Sequence, residues 1–210
     1  MRGLAAVVAR ADAECDVKRS LKGINLRPPN FRQILKYMKK EEVELEGLKE
    51  KFVSQWGVMG TQWGINRTMA QIHALLMTSP EAMSTDEVMA ELSISRGNAH
   101  TNLKELVNWG LLRIVTRKGE RKEYFEAELD VWEIFRRIVR ERKKREIDPA
   151  LDLLEGCQAD SQGMKSAGGR AFNEQMKSLE EFVRFVSKMS ERVAGMPHGK
   201  AMQLAMKLFG

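Results

Sequence analysis

Scattered histidines, two cysteines and one crowded run of small polar and cationic residues are the side chains here with chemistry to offer. His73, His100 and His198 lie far apart, and no Cys/His spacing suits a metal ion. No glycine-rich phosphate loop or nucleophile elbow occurs. Cys15 and Cys157 share no motif and make no disulfide framework. A reduced, cytoplasmic setting is the simplest expectation. Catalytic residues, metal ligands and cofactors are therefore not expected. A reactive thiol would make the chain a redox sensor, which stays open as an alternative.

The crowded run is more informative. Ser95, Arg96, Gly97, Asn98, His100, Thr101 and Lys104 share a short stretch with Ala99, Leu103 and Leu106. The three apolar residues fall three or four apart, which predicts one buried helical stripe. Gly97, Thr101, Lys104 and Asn108 then point outward, with Asn98 and His100 beside them and Arg96 in the first turn. Arg pairs bidentately with guanine, Asn with adenine, and Ser or Thr serves either base. Gly97 permits close approach of the backbone, and a helix N-terminus can meet a phosphate. Shortly after, Arg117, Lys118, Arg121 and Lys122 surround Gly119 and Glu120.

Both clusters need elements to aim them. Ser84-Thr85-Asp86-Glu87 reads as a capping box opening a helix to Leu92, with Val88 and Leu92 inward. Ser93-Ile94 makes a tight turn and Ser95 caps the next helix. Gly110 suits the left-handed position at that helix's end. Two short helices and a tight turn predict a helix-turn-helix. Leu111–Thr116 and Glu123–Glu126 are β-rich, so residues 117–122 become the tip of a hairpin wing. A wing commonly lies over phosphates or in the minor groove.

The flanks predict more helix. Leu45, Leu48, Phe52 and Trp56 form a stripe within Phe31–Trp56, after which Gly57 and Gly60 are expected to loosen the chain. Ile65, Met69, Ile72 and Leu76 mark a second helix, ended by Ser79-Pro80. Leu129–Glu146 reads as a helix whose basic end, Arg142–Arg145, suits the negative pole of the macrodipole. A short turn follows from Asp148 to Leu154, then a flexible loop over residues 158–170. Ala171–Val193 is amphipathic, with Phe172, Met176, Leu179, Phe182, Val183, Val186 and Met189 on its stripe. The tail repeats a short apolar pattern at Met202, Ala205, Met206 and Leu208. One small winged domain cannot bury all these stripes, so a second copy of the chain is expected to cover them.

Charge adds less than the pI of about 9.4 suggests. The net charge is +6, yet residues 1–40 alone carry +7 and the rest −1. Nucleic-acid binding must therefore rest on local patches. The run Leu4–Ala9 is too short to span a membrane, and no membrane association is expected. The expected organisation is a basic, partly disordered extension over residues 1–40 and an N-terminal dimerisation helix over 41–64. The winged helix-turn-helix covers 65–128, and a C-terminal helical dimerisation region covers 129–210. The fold class is mainly α with a small β-wing.

Four segments carry a family resemblance: Phe52–Gly64 (FVSQWGVMGTQWG), Ile94–Asn98 (ISRGN), Asn108–Leu111 (NWGL) and Gly119–Glu126 (GERKEYFE). Residues 48–155 resemble the GbsR-like branch of the MarR superfamily, the glycine-betaine-synthesis repressors. The resemblance implies a homodimeric repressor of transcription, bound to a pseudo-palindromic operator in double-stranded DNA through its winged helix. It implies terminal helices that build the dimer and, in some members, a choline-like effector. A quaternary ammonium needs aromatic faces, and Trp56, Trp63, Tyr124 and Trp132 are the candidates. A winged helix used for protein contact is the remaining alternative. It would be expected to show apolar anchors on the outward face of the second helix.

Overall fold

The computed structural model describes residues 31–197, with side chains from Lys36 onward. The expectations for the N-terminal arm, Cys15, His198 and the apolar tail lie outside the described residues. Residues up to Gly47 form one unit and those from Leu48 another. In the first, the described residues belong to helix α1 (Phe31–Gln62), and every side chain from Lys36 to Gly47 is exposed.

The second unit begins with the rest of α1. It continues through α2 (Arg67–Thr78), β1 (Met83–Ser84), α3 (Thr85–Leu92), α4 (Arg96–Asn108), β2 (Leu112–Thr116), β3 (Glu123–Ala127) and α5 (Val131–Arg142). A π-helical turn, Lys143–Ile147, leads into α6 (Asp148–Ser161), and α7 (Ala167–Gly195) completes the described chain. The architecture is a mainly helical winged helix-turn-helix with a three-stranded antiparallel sheet, ordered β1-β3-β2.

Gly57 and Gly60 do not loosen α1, which runs through both. They are thin places where α2 comes close. A Cβ on Gly57 would lie 2.5 Å from Cγ of Gln71, and one on Gly60 would lie 2.5 Å from Cβ of Ala70. α1 stops beyond them, at Gly64 with φ +74°, and Asn66 caps α2 by accepting from the backbone N–H groups of Thr68 and Met69.

One core sits beneath the helix-turn-helix. Ile72 of α2, Val88 of α3, and Leu103 and Leu106 of α4 are its largest fully buried side chains. Phe125 of β3, Leu112 of β2 and Leu111 close it from the wing side. Burial of each such side chain contributes roughly 1.5–3 kcal/mol. Pairing of Ser84 with Tyr124, and of Val115 with the same tyrosine, fixes the register of the sheet.

The C-terminal region departs from expectation. The basic run at Arg142–Arg145 does not end a helix, because the π turn carries the chain on into α6. Three of its four cations are held by carboxylates instead of a macrodipole. Arg142 pairs with Glu146, Lys143 with Asp148 and Glu191, and Arg145 with Glu105 and Glu141. The turn expected at Asp148–Leu154 is a full helix, and the loop shrinks to residues 162–166. Contacts from Asn173 to Gln158, Arg184 to Glu155 and Glu191 to Lys143 run in opposite senses along the chain. α7 therefore folds back antiparallel to α6. Arg136 and Arg140 of α5 donate to the carbonyls of Met196 and Ala194, satisfying groups that a helix end leaves unpaired.

The α7 stripe is only partly covered: Met176, Val183 and Val186 are half-buried, while Phe172 and Phe182 are 46% and 64% exposed, and Phe185, off the stripe, is 61% exposed. The inward side of the helix carries Asn173, Met176, Glu180, Val183, Ser187 and Ser190, mixing polar groups with apolar ones. Gly60→Ala is expected to cost about 1–3 kcal/mol in urea unfolding, the usual penalty of overpacking. Gly47→Ala, with nothing within 4 Å of the new Cβ, is expected to be neutral or stabilising.

Candidate nucleic-acid interface

Ser84 sets the first helix of the motif. Its hydroxyl accepts from the backbone N–H of Glu87, and Oε2 of Glu87 accepts from the Ser84 backbone N–H at 2.6 Å. That is the expected capping box, and it holds the Glu87 carboxyl below the usual carboxylate range. α3 ends at Ser93, which takes a left-handed φ of +52°. Ser95 then caps α4, accepting from the Asn98 backbone N–H at 3.4 Å.

On α4, Ala99, Leu103 and Leu106 are buried and Arg96, Gly97, Asn98, His100, Thr101, Lys104 and Asn108 are exposed. Asn102 is buried as well, which the apolar pattern concealed. It donates to the carbonyl and the Oδ1 of Asn98, at 2.8 and 2.7 Å. Asn98 in turn donates to Thr68 Oγ1 of α2. Both polar ends of the Asn98 amide are thus engaged within the chain. His100, Thr101 and Lys104 face solvent with no ion pair among the described residues. Nothing lies within 4 Å of a Cβ built on Gly97, so packing within the chain gives no reason for glycine there.

The wing is a two-stranded hairpin whose turn contains Gly119 at φ +86°. Its four cations divide into two kinds. Arg117 lies 4.0 Å above the Tyr124 ring and donates to Glu81 and to the Ala82 carbonyl. Lys122 pairs with Asp86 of α3 at 3.3 Å. These two brace the wing against the start of α3. Lys118 and Arg121 are exposed, without an ion pair among the described residues, and are the free cations of the tip. Asp86 also takes Arg96 at 2.6 Å. Hydrogen bonds from Lys122 and then Arg96 hold its carboxyl below the usual range.

The far end of α4 is tied to the C-terminal helices. Arg145 stacks 5.1 Å from the Trp109 ring and pairs with Glu105, which also accepts from Trp109 Nε1 at 3.1 Å. Arg137 of α5 donates to the carbonyl of Gly110, and Gly110 stands at φ +72°.

Behind α4 is an open cavity of about 630 Å³. Phe52, Trp56, Trp63, Trp109 and Phe135 give it aromatic walls, and Arg142 is its one ionised group. Trp56 and Trp63 meet edge to face at 6.0 Å. The four aromatics considered for an ammonium cage do not converge, since Tyr124 and Trp132 lie outside this cavity. Tyr124 is buried in the sheet and donates its hydroxyl hydrogen to Glu120 of the wing, while Trp132 packs edge-on to Phe135 at 6.2 Å. His73 also lines the cavity. Its Nε2 is buried without a hydrogen-bond partner, and burial pushes its pKa down to about 4. The sequence pattern gave His73 no prominence, because it falls on the apolar face of α2.

The chain is similar to a known repressor. Over 100 residues it is 28% identical to the HTH-type transcriptional repressor GbsR of Bacillus subtilis (strain 168). The match covers 48% of this chain and 55% of that protein, so the chain spans about half the length of the curated relative it matches. No family model matches. A crystal structure of a transcriptional regulator shares the fold with a TM-score of 0.56 at 19% identity, covering 70% of this chain and 95% of that one. The GbsR-like resemblance carried by the four sequence segments agrees with the first match.

The neutral, buried His73 makes stability depend on pH. Its folded pKa, about 4, lies below the ordinary 6.5. The unfolded chain therefore binds the extra proton between these values, and stability falls as pH drops through that window. At about 1.4 kcal/mol per unit the loss amounts to roughly 3 kcal/mol. Urea unfolding from pH 7 to 4 is expected to show this loss, and His73→Phe to remove that part of the slope.

Proposed function

We propose that this protein is a DNA-binding transcriptional regulator, a repressor that acts as a homodimer on a pseudo-palindromic operator. The observation that carries the reading is the continuous exposed polar face of Arg96, Gly97, His100, Thr101 and Lys104, flanked by the free wing cations Lys118 and Arg121. Such a face suits base edges and phosphates. It offers none of the large apolar anchors that a protein-contact helix would need. The similarity to a repressor supports the same reading. The thiol alternative draws no support from Cys157, which is half-buried on α6 and has no second cysteine beside it among the described residues.

The homodimer rests on uncovered apolar surface. Tyr37, Val43, Leu45 and Leu48 on α1 and Phe182 and Phe185 on α7 are each at least half exposed. A second copy is the simplest cover. Half-sites would then lie about 10 bp apart or a multiple of that. No described helix is long and apolar enough to cross a membrane.

The test is a gel shift on DNA upstream of the gene, with arbitrary duplex as competitor. A specific shift is expected; its absence, with and without ligands, would refute the reading. Arg121→Ala is expected to weaken all sequences about equally and to flatten the salt dependence. Arg96→Ala is expected to cost roughly 1–3 kcal/mol and relax one base preference. Equal loss on all sequences would reassign Arg96 to the backbone.

The cavity behind α4 supports an effector. A small molecule there would touch Leu106 and Trp109 of the DNA-facing helix directly. The cavity offers a cation no carboxylate, and Arg142 opposes one. Cation–π contacts contribute about 0.5–2 kcal/mol, less than the several kcal/mol lost in burying an unpaired charge. An uncharged apolar ligand with one polar group for His73 is therefore favoured over a choline-like one. Indole is expected to give a saturable calorimetric heat, and choline to give none. The reverse pattern would restore the cationic effector.

A further inference from the structure

Asp86 lies in the middle of a cationic face, where a carboxylate repels DNA. Its two oxygens serve two different elements. Oδ1 accepts from Nη2 of Arg96 at 2.6 Å, and Oδ2 accepts from Nζ of Lys122 at 3.3 Å. Arg96 opens α4 and Lys122 precedes β3, so one side chain of α3 ties the helix to the wing. An acidic residue in a helix's first turn is ordinarily explained by capping or the macrodipole. Here the capping is already done by Ser84 and Glu87, and both Asp86 oxygens are spent on other elements.

Two consequences follow from this geometry. Arginine carries five N–H donors in a rigid fork. The contact through Nη2 draws the Arg96 guanidinium to Asp86 and leaves its other donors free for the paired acceptors of a guanine. An arginine so held is also slow to swing out to a phosphate. Second, the carboxylate adds one negative charge facing the DNA backbone. That charge penalises every sequence alike, and only a correct base contact by Arg96 offsets it.

We infer that Asp86 is a specificity-determining, positioning residue: it holds Arg96 toward base edges and suppresses binding that relies on phosphates alone. The inference rests on the reading of the chain as a DNA-binding regulator. Its contacts are solvent-exposed, with Arg96 and Asp86 side chains 69% and 46% accessible, so the fold does not depend on them.

The experiment measures affinity for operator and for arbitrary duplex across a salt series, with the full-length wild type and variants. In Asp86→Asn, affinity for arbitrary duplex is expected to rise about three- to tenfold, and the log–log salt slope to steepen by about one. Operator affinity gains less, so the specificity ratio falls on the order of tenfold. Asp86→Glu keeps the charge on a longer arm. It is expected to retain weak binding to arbitrary duplex while losing part of the base preference. In an Arg96→Ala background, Asp86→Asn is expected to leave base preference unchanged, since the residue it acts through is gone. A specificity ratio unaltered in Asp86→Asn overturns the role of Asp86 alone. A wild type that prefers no sequence overturns the regulator reading instead.

Discussion

Ser84 belongs to two elements at once, and the interface depends on that overlap. Its backbone pairs with Tyr124 in the sheet, and its hydroxyl and amide start α3. A capped helix start gives up about 1 kcal/mol when its cap is lost. Here the cap also sets where α3 leaves the sheet, and so where Asp86 stands relative to Lys122 and Arg96. The wing and the helix-turn-helix are not two modules joined by a linker. They share one buried serine, 5% exposed, and one core.

The division of labour among the cations follows from the same framework. Arg117 and Lys122 are bound to Glu81 and Asp86, which flank β1. They fix the wing's pose, and they leave Lys118 and Arg121 as the exposed charges at its tip, without an ion pair among the described residues. Exposed ion pairs of this kind contribute little to stability. Their effect is on orientation: they set the wing's pose against α3 and not the stability of the fold.

The helix-turn-helix was legible because its signals are local. The capping box at Ser84, the cap at Ser95, Gly110 and the β-branched strand at Leu112–Thr116 all declare themselves within a few residues. The two-residue strand β1 was not legible, since its partner Phe125 lies far along the chain. The glycines at 57 and 60 read as breakers because tight helix packing leaves no mark in a single sequence beyond small size. The helix beyond Arg145 was hidden by Asp148-Pro149, which reads as a new beginning although proline fits the first turn of α6. The bound states of Asn98, Arg96 and Arg117 depend on partners ten to thirty-six residues away, which no wheel reveals.

The π turn at Lys143–Ile147 has a geometric consequence for the C-terminal helices. A helix advances about 100° per residue, and a π turn inserts one residue into that count. Every side chain beyond it is therefore rotated by about 100° from the phase of α5. Before the turn, α5 turns Arg137 toward Gly110 and Arg136 and Arg140 toward the end of α7. Beyond it, Glu155 of α6 still meets Arg184 of α7. The extra residue acts as a phase shifter, resetting which side of the second half of the column meets α7 while the first half stays docked on the winged domain.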